Sequence, residues 1–280
     1  MQIQRLAEGL CFGEGPRWRD GALWLSDMHA HEVLRITPDG GKTRILEVTN
    51  WPSGLGWLPN GDLLVVSMTD RAVLRFDGET TTRHADLSAL ASFHCNDMVV
   101  DGHGRAYVGN FGFDLAARAT PAPAELICVE PDGSARIVAD DLMFPNGAVI
   151  TADGNTLIVA ETFGARLTAF DILGNGDLTN RRLWAELPKG AVPDGICLDA
   201  GGGIWIASPT TCECLRQEEG GEITHRVEVD QGAFACMLGG DEGDTLYILT
   251  ADTSDPEECQ ASRQGRIEFC RAPFPRAGIP

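Results

Sequence analysis

The sequence predicts an all-β protein, a six-bladed β-propeller forming one domain over residues 1–280, and three observations carry that expectation. A turn containing Asp, Asn or Gly followed by an apolar run recurs six times, roughly every 41 to 50 residues, the spacing of a propeller or another repeat array. After most copies come two alternating apolar/polar segments separated by a turn, the pattern of an antiparallel hairpin. No long segment keeps a 3.6-residue apolar period between caps, and glycines are spread throughout.

The six copies begin at Asp20-Gly21, Asn60-Gly61, Gly102-His103, Asp153-Gly154, Gly201-Gly202 and Glu242-Gly243. The first is followed by Val33-Leu34-Arg35-Ile36, the turn Pro38-Asp39-Gly40, and Arg44-Ile45-Leu46, which is one hairpin. Equivalent pairs follow around Val73 to Phe76, around Leu126 to Val129 with Pro131-Asp132-Gly133, and around Leu167 to Phe170 with Gly174 to Asp177. Each repeat therefore supplies about four short strands, the content of one blade. The last copy is one strand short, and the residues around Ile3-Gln4-Arg5-Leu6 are expected to complete it, closing the ring by pairing the two ends of the chain. Ala116 to Ala124 and Asp252 to Gln264 read as surface loops that could form part of a lid over one face.

Composition narrows the partners. A formal net charge of −19 argues against nucleic acid and anionic membrane, both of which require a basic surface. The nine cysteines are odd in number and have no disulfide-framework spacing, so free thiols in a reducing compartment are expected. Neither a signal peptide nor an apolar run of about 20 residues is visible, and the expectation is a cytoplasmic protein, monomer or homodimer, with a small-molecule ligand.

The residues just before each innermost strand carry the chemistry. Glu14, Asn96, Asn146 and Asp194 each lie five to seven residues ahead of the turn of their own copy, and equivalent positions in a closed ring converge on its axis. Two carboxylates and two amide carbonyls are hard oxygen donors with a combined charge of −2, suited to one divalent cation of the calcium or magnesium type. Without a cation the carboxylates would repel one another across a narrow channel. Any single Asn-Gly or Asp-Gly pair is ordinary turn chemistry, but the turn after each inner strand already has its own such pair.

The strings Gly13-Glu14-Gly15-Pro16-Arg17-Trp18, Asn96 to Asp101, Phe144-Pro145-Asn146-Gly147 and Pro193-Asp194-Gly195-Ile196 resemble those of the SMP-30/gluconolactonase/luciferin-regenerating-enzyme family, in the expected order and over essentially the whole chain. The resemblance implies a six-bladed propeller with one axial divalent metal held at the positions of Glu14, Asn146 and Asp194, with Asn96 joining them or holding substrate. It implies lactone hydrolysis supported by calcium, with zinc, manganese or magnesium as alternatives. On that footing Asp194 is the expected general base toward water and Asn96 the expected amide donor to substrate. Alternatives are a binding platform with a structural metal, and other chemistry at the same metal, such as phosphotriester hydrolysis or an isomerisation.

Two positions depart from the sugar-lactone pattern. Where such members carry an arginine two residues before the motif asparagine, this chain has His94, whose short imidazole cannot present the same planar charged fork. Where they carry an acid that contacts the sugar, it has Asp114. Phe93, Phe111, Phe113, Phe144 and Phe163 are expected around the same mouth, either as an apolar pocket for a less polar lactone or as packing between blades. The spacing of His29 and His31 would put both imidazoles on one strand face, but no third metal ligand is near in sequence. Cys212-Glu213-Cys214 reads as an outer-strand segment of plain thiols, and no Gly-x-Ser-x-Gly elbow supports a serine hydrolase.

Overall fold

The computed structural model describes residues 2–280 as six antiparallel four-stranded sheets in a ring. Blade 1 holds β2 (Gly13–Arg19), β3 (Ala22–Asp27), β4 (Glu32–Ile36) and β5 (Lys42–Glu47), from the axis outward. Blade 2 holds β6 (Pro52–Trp57), β7 (Leu63–Ser67), β8 (Ala72–Phe76) and β9 (Thr81–Asp86). Blade 3 holds β10 (Cys95–Val100), β11 (Ala106–Asn110), β12 (Ala124–Val129) and β13 (Ala135–Leu142). Blade 4 holds β14 (Pro145–Ile150), β15 (Thr156–Glu161), β16 (Arg166–Ile172) and β17 (Leu178–Glu186). Blade 5 holds β18 (Ile196–Leu198), β19 (Ile204–Ser208), β20 (Glu213–Gln217) and β21 (Ile223–Glu228).

Blade 6 is composite: β22 (Gly232–Gly239), β23 (Thr245–Ala251) and β24 (Gly265–Arg271) are completed by β1 (Gln4–Leu10). Gln4 pairs with Phe269 and Leu10 with Gly265, so the first strand of the chain closes the ring as the sequence predicts. Closure leaves each blade's apolar faces buried against neighbouring blades, and the cores accordingly lie between sheets.

The turns form for local reasons. Asp20 and Gly21 both take left-handed φ angles, 50° and 68°, the requirement of a two-residue hairpin loop of the mirror-image type. Asp153 accepts from Thr151 Oγ1 at 2.6 Å and from the Asn155 amide at 3.1 Å, so its side chain builds the turn between β14 and β15.

The expected loop from Asp252 to Gln264 contains a short helix, α1 (Pro256–Ser262). Asp255 caps it, accepting from the amides of Glu257 and Glu258 at 3.0 Å each, and Pro256 occupies the first turn. The signal was present in Ser254-Asp255-Pro256-Glu257-Glu258, an N-cap followed by proline and acids, but the apolar period was too short to betray a helix.

Pairing registers define the two faces of the ring. Gly13 pairs with Asp27, Cys95 with Asn110, Pro145 with Glu161 and Gly232 with Ala251. The starts of the inner strands and the loops after the second strands therefore share one face, which also carries α1 and the 111–123 loop. On the opposite face the last residues cross the ring: Ile279 bridges Ile150, Arg276 bridges Asp199, and the Ala277 amide donates to Leu198 O at 3.0 Å. Behind them lies a cavity lined by Arg17, Leu55, Val100 and Pro280, among others.

Candidate metal and active site

The inner strands β2, β6, β10, β14, β18 and β22 pack in that cyclic order around the axis. They approach so closely that backbone replaces side chain at the contact: a Cβ on Gly54 would meet Met98 N at 2.3 Å, and one on Gly147 would meet Ile196 N at 2.6 Å. The glycine of each Ser-Gly, Asn-Gly and Asp-Gly pair is thus a packing residue, and the polar residue before it is a separate feature.

Five inner strands break register at that point, between Glu14 and Arg17, Pro52 and Leu55, Cys95 and Met98, Pro145 and Ala148, and Ala233 and Ala235. β18 begins only at Ile196, two residues past Asp194. A bulge frees one residue from the ladder and re-aims its side chain. Bulges in five blades, and the residues just ahead of β18 in blade 5, set six residues at equivalent places: Glu14, Ser53, Asn96, Asn146, Asp194 and, from blade 6, Phe234.

The four oxygen-bearing residues singled out in the sequence are all 5 to 8 % exposed. Burial first, then the Asp194 and Asp97 carboxylates, push the Glu14 carboxyl well above the usual range, against the opposing pull of the Gly15 amide and the Arg17 guanidinium. Burial and then Asp97 push Asp194 up in the same way, while a hydrogen bond from Asn146 works against them. Asn146 Nδ2 also lies 3.3 Å from Thr162 Oγ1, which itself donates to Pro193 O at 2.8 Å. The amide hydrogens of Asn146 are therefore engaged, and its Oδ1 remains for a ligand. Asn96 is held the other way round: Ser53 Oγ donates to its Oδ1 at 3.4 Å, leaving the amide hydrogens for a ligand.

Two charged residues not assigned from the sequence complete the environment. Asp97 is buried and accepts from Arg17 Nη2 at 2.9 Å. Arg17 also donates to Leu55 O at 3.0 Å and Pro16 O at 2.7 Å, tying blades 1, 2 and 3 beneath the acids. The only signal in the sequence was a charged residue within each of two inner-strand segments, since a buried charge requires a partner.

A divalent cation fits this donor set. Asp194 Oδ1 is buried with no hydrogen-bond partner among the described residues, and two desolvated carboxyls are driven toward protonation, with the Arg17 guanidinium opposing this only in part and only at Glu14. Among the described residues no group of three or more His, Cys, Asp or Glu side chains is arranged for a metal, so a cation here takes amide oxygen as well as carboxylate. Glu14, Asn146 and Asp194 are the residues that would hold it.

The expected phenylalanines cluster on the entrance face. Phe111 stacks on Phe144 at 4.3 Å, and Phe163 lies 5.2 Å from Phe113 and 5.3 Å from Phe144, so they pack blade 3 against blade 4. His94 is half-buried and stacked on Phe93 at 4.2 Å; burial lowers its pKa, with Asp114 opposing. Asp114 is partly engaged by its own loop, accepting from the Ala117 amide at 2.9 Å.

Two further sequence expectations are corrected. His29 and His31 sit in and just after a 3-10 turn, Met28–Ala30, rather than on a strand, because His31 takes a left-handed φ of 62° that ends the turn. His29 is buried against Phe12 and Trp51, while His31 Nδ1 lies 2.8 Å from Thr49 O. Cys214 lies in β20, the third of four strands from the axis, in keeping with an outer strand, but Cys212 occupies the turn before it rather than the strand. Among the described residues the nine cysteines form no disulfide.

The chain has relatives among known proteins. Residues 12–252 match the family described as SMP-30/Gluconolactonase/LRE-like region. The chain is 28% identical to regucalcin from Gallus gallus over 85% of this chain and 83% of that protein. It is 25% identical to pentonolactonase XacC from Haloferax volcanii over 90% and 86%. A solved luciferin-regenerating enzyme superposes with a TM-score of 0.83 at 18% identity, covering 99% of this chain and 98% of that one, a likeness of fold.

Proposed function

The chain belongs to the SMP-30/gluconolactonase/LRE-like family, and from that footing we propose that it is a divalent-metal-dependent lactonase whose site is the ring of Glu14, Asn96, Asn146 and Asp194. The observation that carries this reading is the buried Asp194 carboxylate with an unpartnered oxygen beside a second desolvated acid. The names of the pentonolactonase relative and of a 6-deoxy-6-sulfogluconolactonase from Pseudomonas putida, 24% identical over 85% of this chain, support the reaction class.

When bound, a divalent cation supplies Lewis-acid polarisation of an ester carbonyl and lowers the pKa of water. Asp194 acts as general base: its carboxylate takes the proton of the attacking water, then returns it toward the leaving ring oxygen. Asn96, with its carbonyl oxygen occupied by Ser53, presents amide hydrogens to the lactone and fixes its orientation. Asn146 steadies Asp194 through their hydrogen bond. Arg17, held by three backbone carbonyls and Asp97, keeps the floor beneath the acids rigid and partly compensated in charge.

A second reading, in which the propeller holds calcium without turnover, is favoured by the regucalcin relatives, one of whose solved members is titled a calcium-binding protein. Hydrolysis of a panel of lactones by chelator-stripped and reloaded protein separates the two. The lactonase reading predicts turnover restored by a divalent cation and reduced at least about 100-fold in Asp194→Asn, in line with loss of a general base. Cation binding with no turnover of any lactone would leave the binding reading.

A further inference from the structure

We propose that the entrance selects a lactone bearing an apolar substituent, rather than a polyhydroxylated sugar lactone; this rests on the lactonase reading and narrows it to a substrate class. The inference comes from the residues two positions ahead of the inward-facing set. In blades 1 to 4 these are Phe12, Trp51, His94 and Phe144, and in blade 5 Val192.

Their rings form one connected arc around the mouth. Phe234, at the inward position of blade 6, lies 4.7 Å from Phe12; His29 bridges Phe12 and Trp51 at 5.2 and 5.0 Å. Trp51 lies 6.5 Å from His94, and His94 lies 6.3 Å from Phe111, which stacks on Phe144. The arc spans five of six blades. Four of its members lie two residues ahead of the inward-facing set, on the face where the inner strands begin, the side on which we place the part of a substrate remote from its reacting carbonyl.

Three features set this arc apart from interior packing. The aromatic residues of the true core, Tyr107 and Trp205, are fully buried, whereas Trp51, His94, Phe111 and Phe234 of the arc are half-buried over the buried Phe12, His29 and Phe144, and Phe163, packed on Phe144, is 46 % exposed. Trp51 and Phe144 hold left-handed φ angles of 60° and 63°, a conformation that bulky residues rarely adopt and that is retained where surroundings or function demand it. The rim is also poor in hydrogen-bonding groups. Its polar groups are the His94 imidazole, the buried His29 imidazole and Asp114, one of whose oxygens is taken by its own loop. A sugar lactone's several hydroxyls would lose water against ring faces without replacement partners, whereas an apolar substituent gains from the same surface.

The test compares γ-phenyl-γ-butyrolactone, γ-butyrolactone and glucono-δ-lactone on the metal-loaded protein, with dissociation constants from calorimetry on the chelator-stripped wild-type protein. The expected result is kcat/KM at least 10-fold higher for the phenyl lactone than for glucono-δ-lactone. Phe111→Ala and Phe163→Ala, both at partly exposed positions, should lower kcat/KM for the phenyl lactone about 10-fold while leaving γ-butyrolactone within about 3-fold. Equal or better turnover of glucono-δ-lactone, or variants that depress all three lactones alike, overturns the inference. If no lactone is turned over with any divalent cation, the lactonase reading fails, and calorimetry still decides the rim. Tighter binding of the phenyl lactone than of glucono-δ-lactone supports apolar recognition, and equal or absent binding overturns it.

Discussion

Glu14 and Asp194 are where proton and cation compete. Their folded pKa values are raised by burial and by neighbouring carboxylates, so the stability they contribute is present below the unfolded carboxylate pKa and is lost as pH rises through the folded values. A cation that binds the ionised pair reverses that loss. The rise in Tm on adding saturating divalent cation should therefore grow between acid and neutral pH, reaching about 5 to 10 °C when the cation is near 100 times its Kd. Glu14→Gln and Asp194→Asn should each raise Tm in chelator at neutral pH and remove the cation-induced rise, which thermal melts across pH will show. His29 gives the opposite slope. Burial lowers its pKa to about 4, and with Nε2 3.3 Å from Ser254 O its Nδ1 has no hydrogen-bond partner among the described residues. A base with a depressed folded pKa loses stability as pH falls from its unfolded value of about 6.5 toward 4, here by at most about 3 kcal/mol. His29→Phe should flatten that acid limb in urea melts. At this scale the sequence revealed the polar positions through their shared phase, but Ser53, Asp97 and Arg17 stayed hidden. Their roles come from partners 38 to 81 residues away, and no local pattern records which carbonyl a guanidinium will reach.

The element that builds the site is the bulged inner strand, which turns one residue inward while the following glycine lets the next blade close in. Gly54→Ala should cost more than about 3 kcal/mol, at the upper end of overpacking effects, because its Cβ would fall on the backbone of β10, which cannot move independently. Gly61→Ala is the control: its φ is 94° but nothing lies within 4 Å, so only left-handed strain of about 1 to 2 kcal/mol is expected. Chemical denaturation of the two variants distinguishes crowding from strain. Strands and hairpins were legible because alternation and turn residues are local, as Asp20-Gly21 and Thr151 to Thr156 show. Bulges were not legible, since register is a relation between two strands. α1 escaped because seven residues are too few for a helical period to stand out.

Across the whole molecule, the repeat in the sequence became a closed ring because β1 pairs with β24 and leaves blade 6 with four strands. Deleting residues 2–10 would strip that pairing and expose an edge beside the Leu246, Leu249 and Ile267 core, so a broadened, non-cooperative melt is expected in place of a single transition. Closure is also what brings Glu14, near one end of the chain, against Asp194, 180 residues on. The entrance loops and the rear crossing by residues 272–280 then leave the acids facing the side that carries the aromatic arc. The central claim, one divalent cation held by these acids and Asn146 in support of lactone hydrolysis, is tested most directly by titrating a divalent cation into chelator-stripped protein while following lactone turnover. The account predicts negligible turnover at the start and a break at one equivalent per chain, absent in Glu14→Gln. Turnover that is undiminished after stripping, or that Glu14→Gln leaves unchanged, would contradict it.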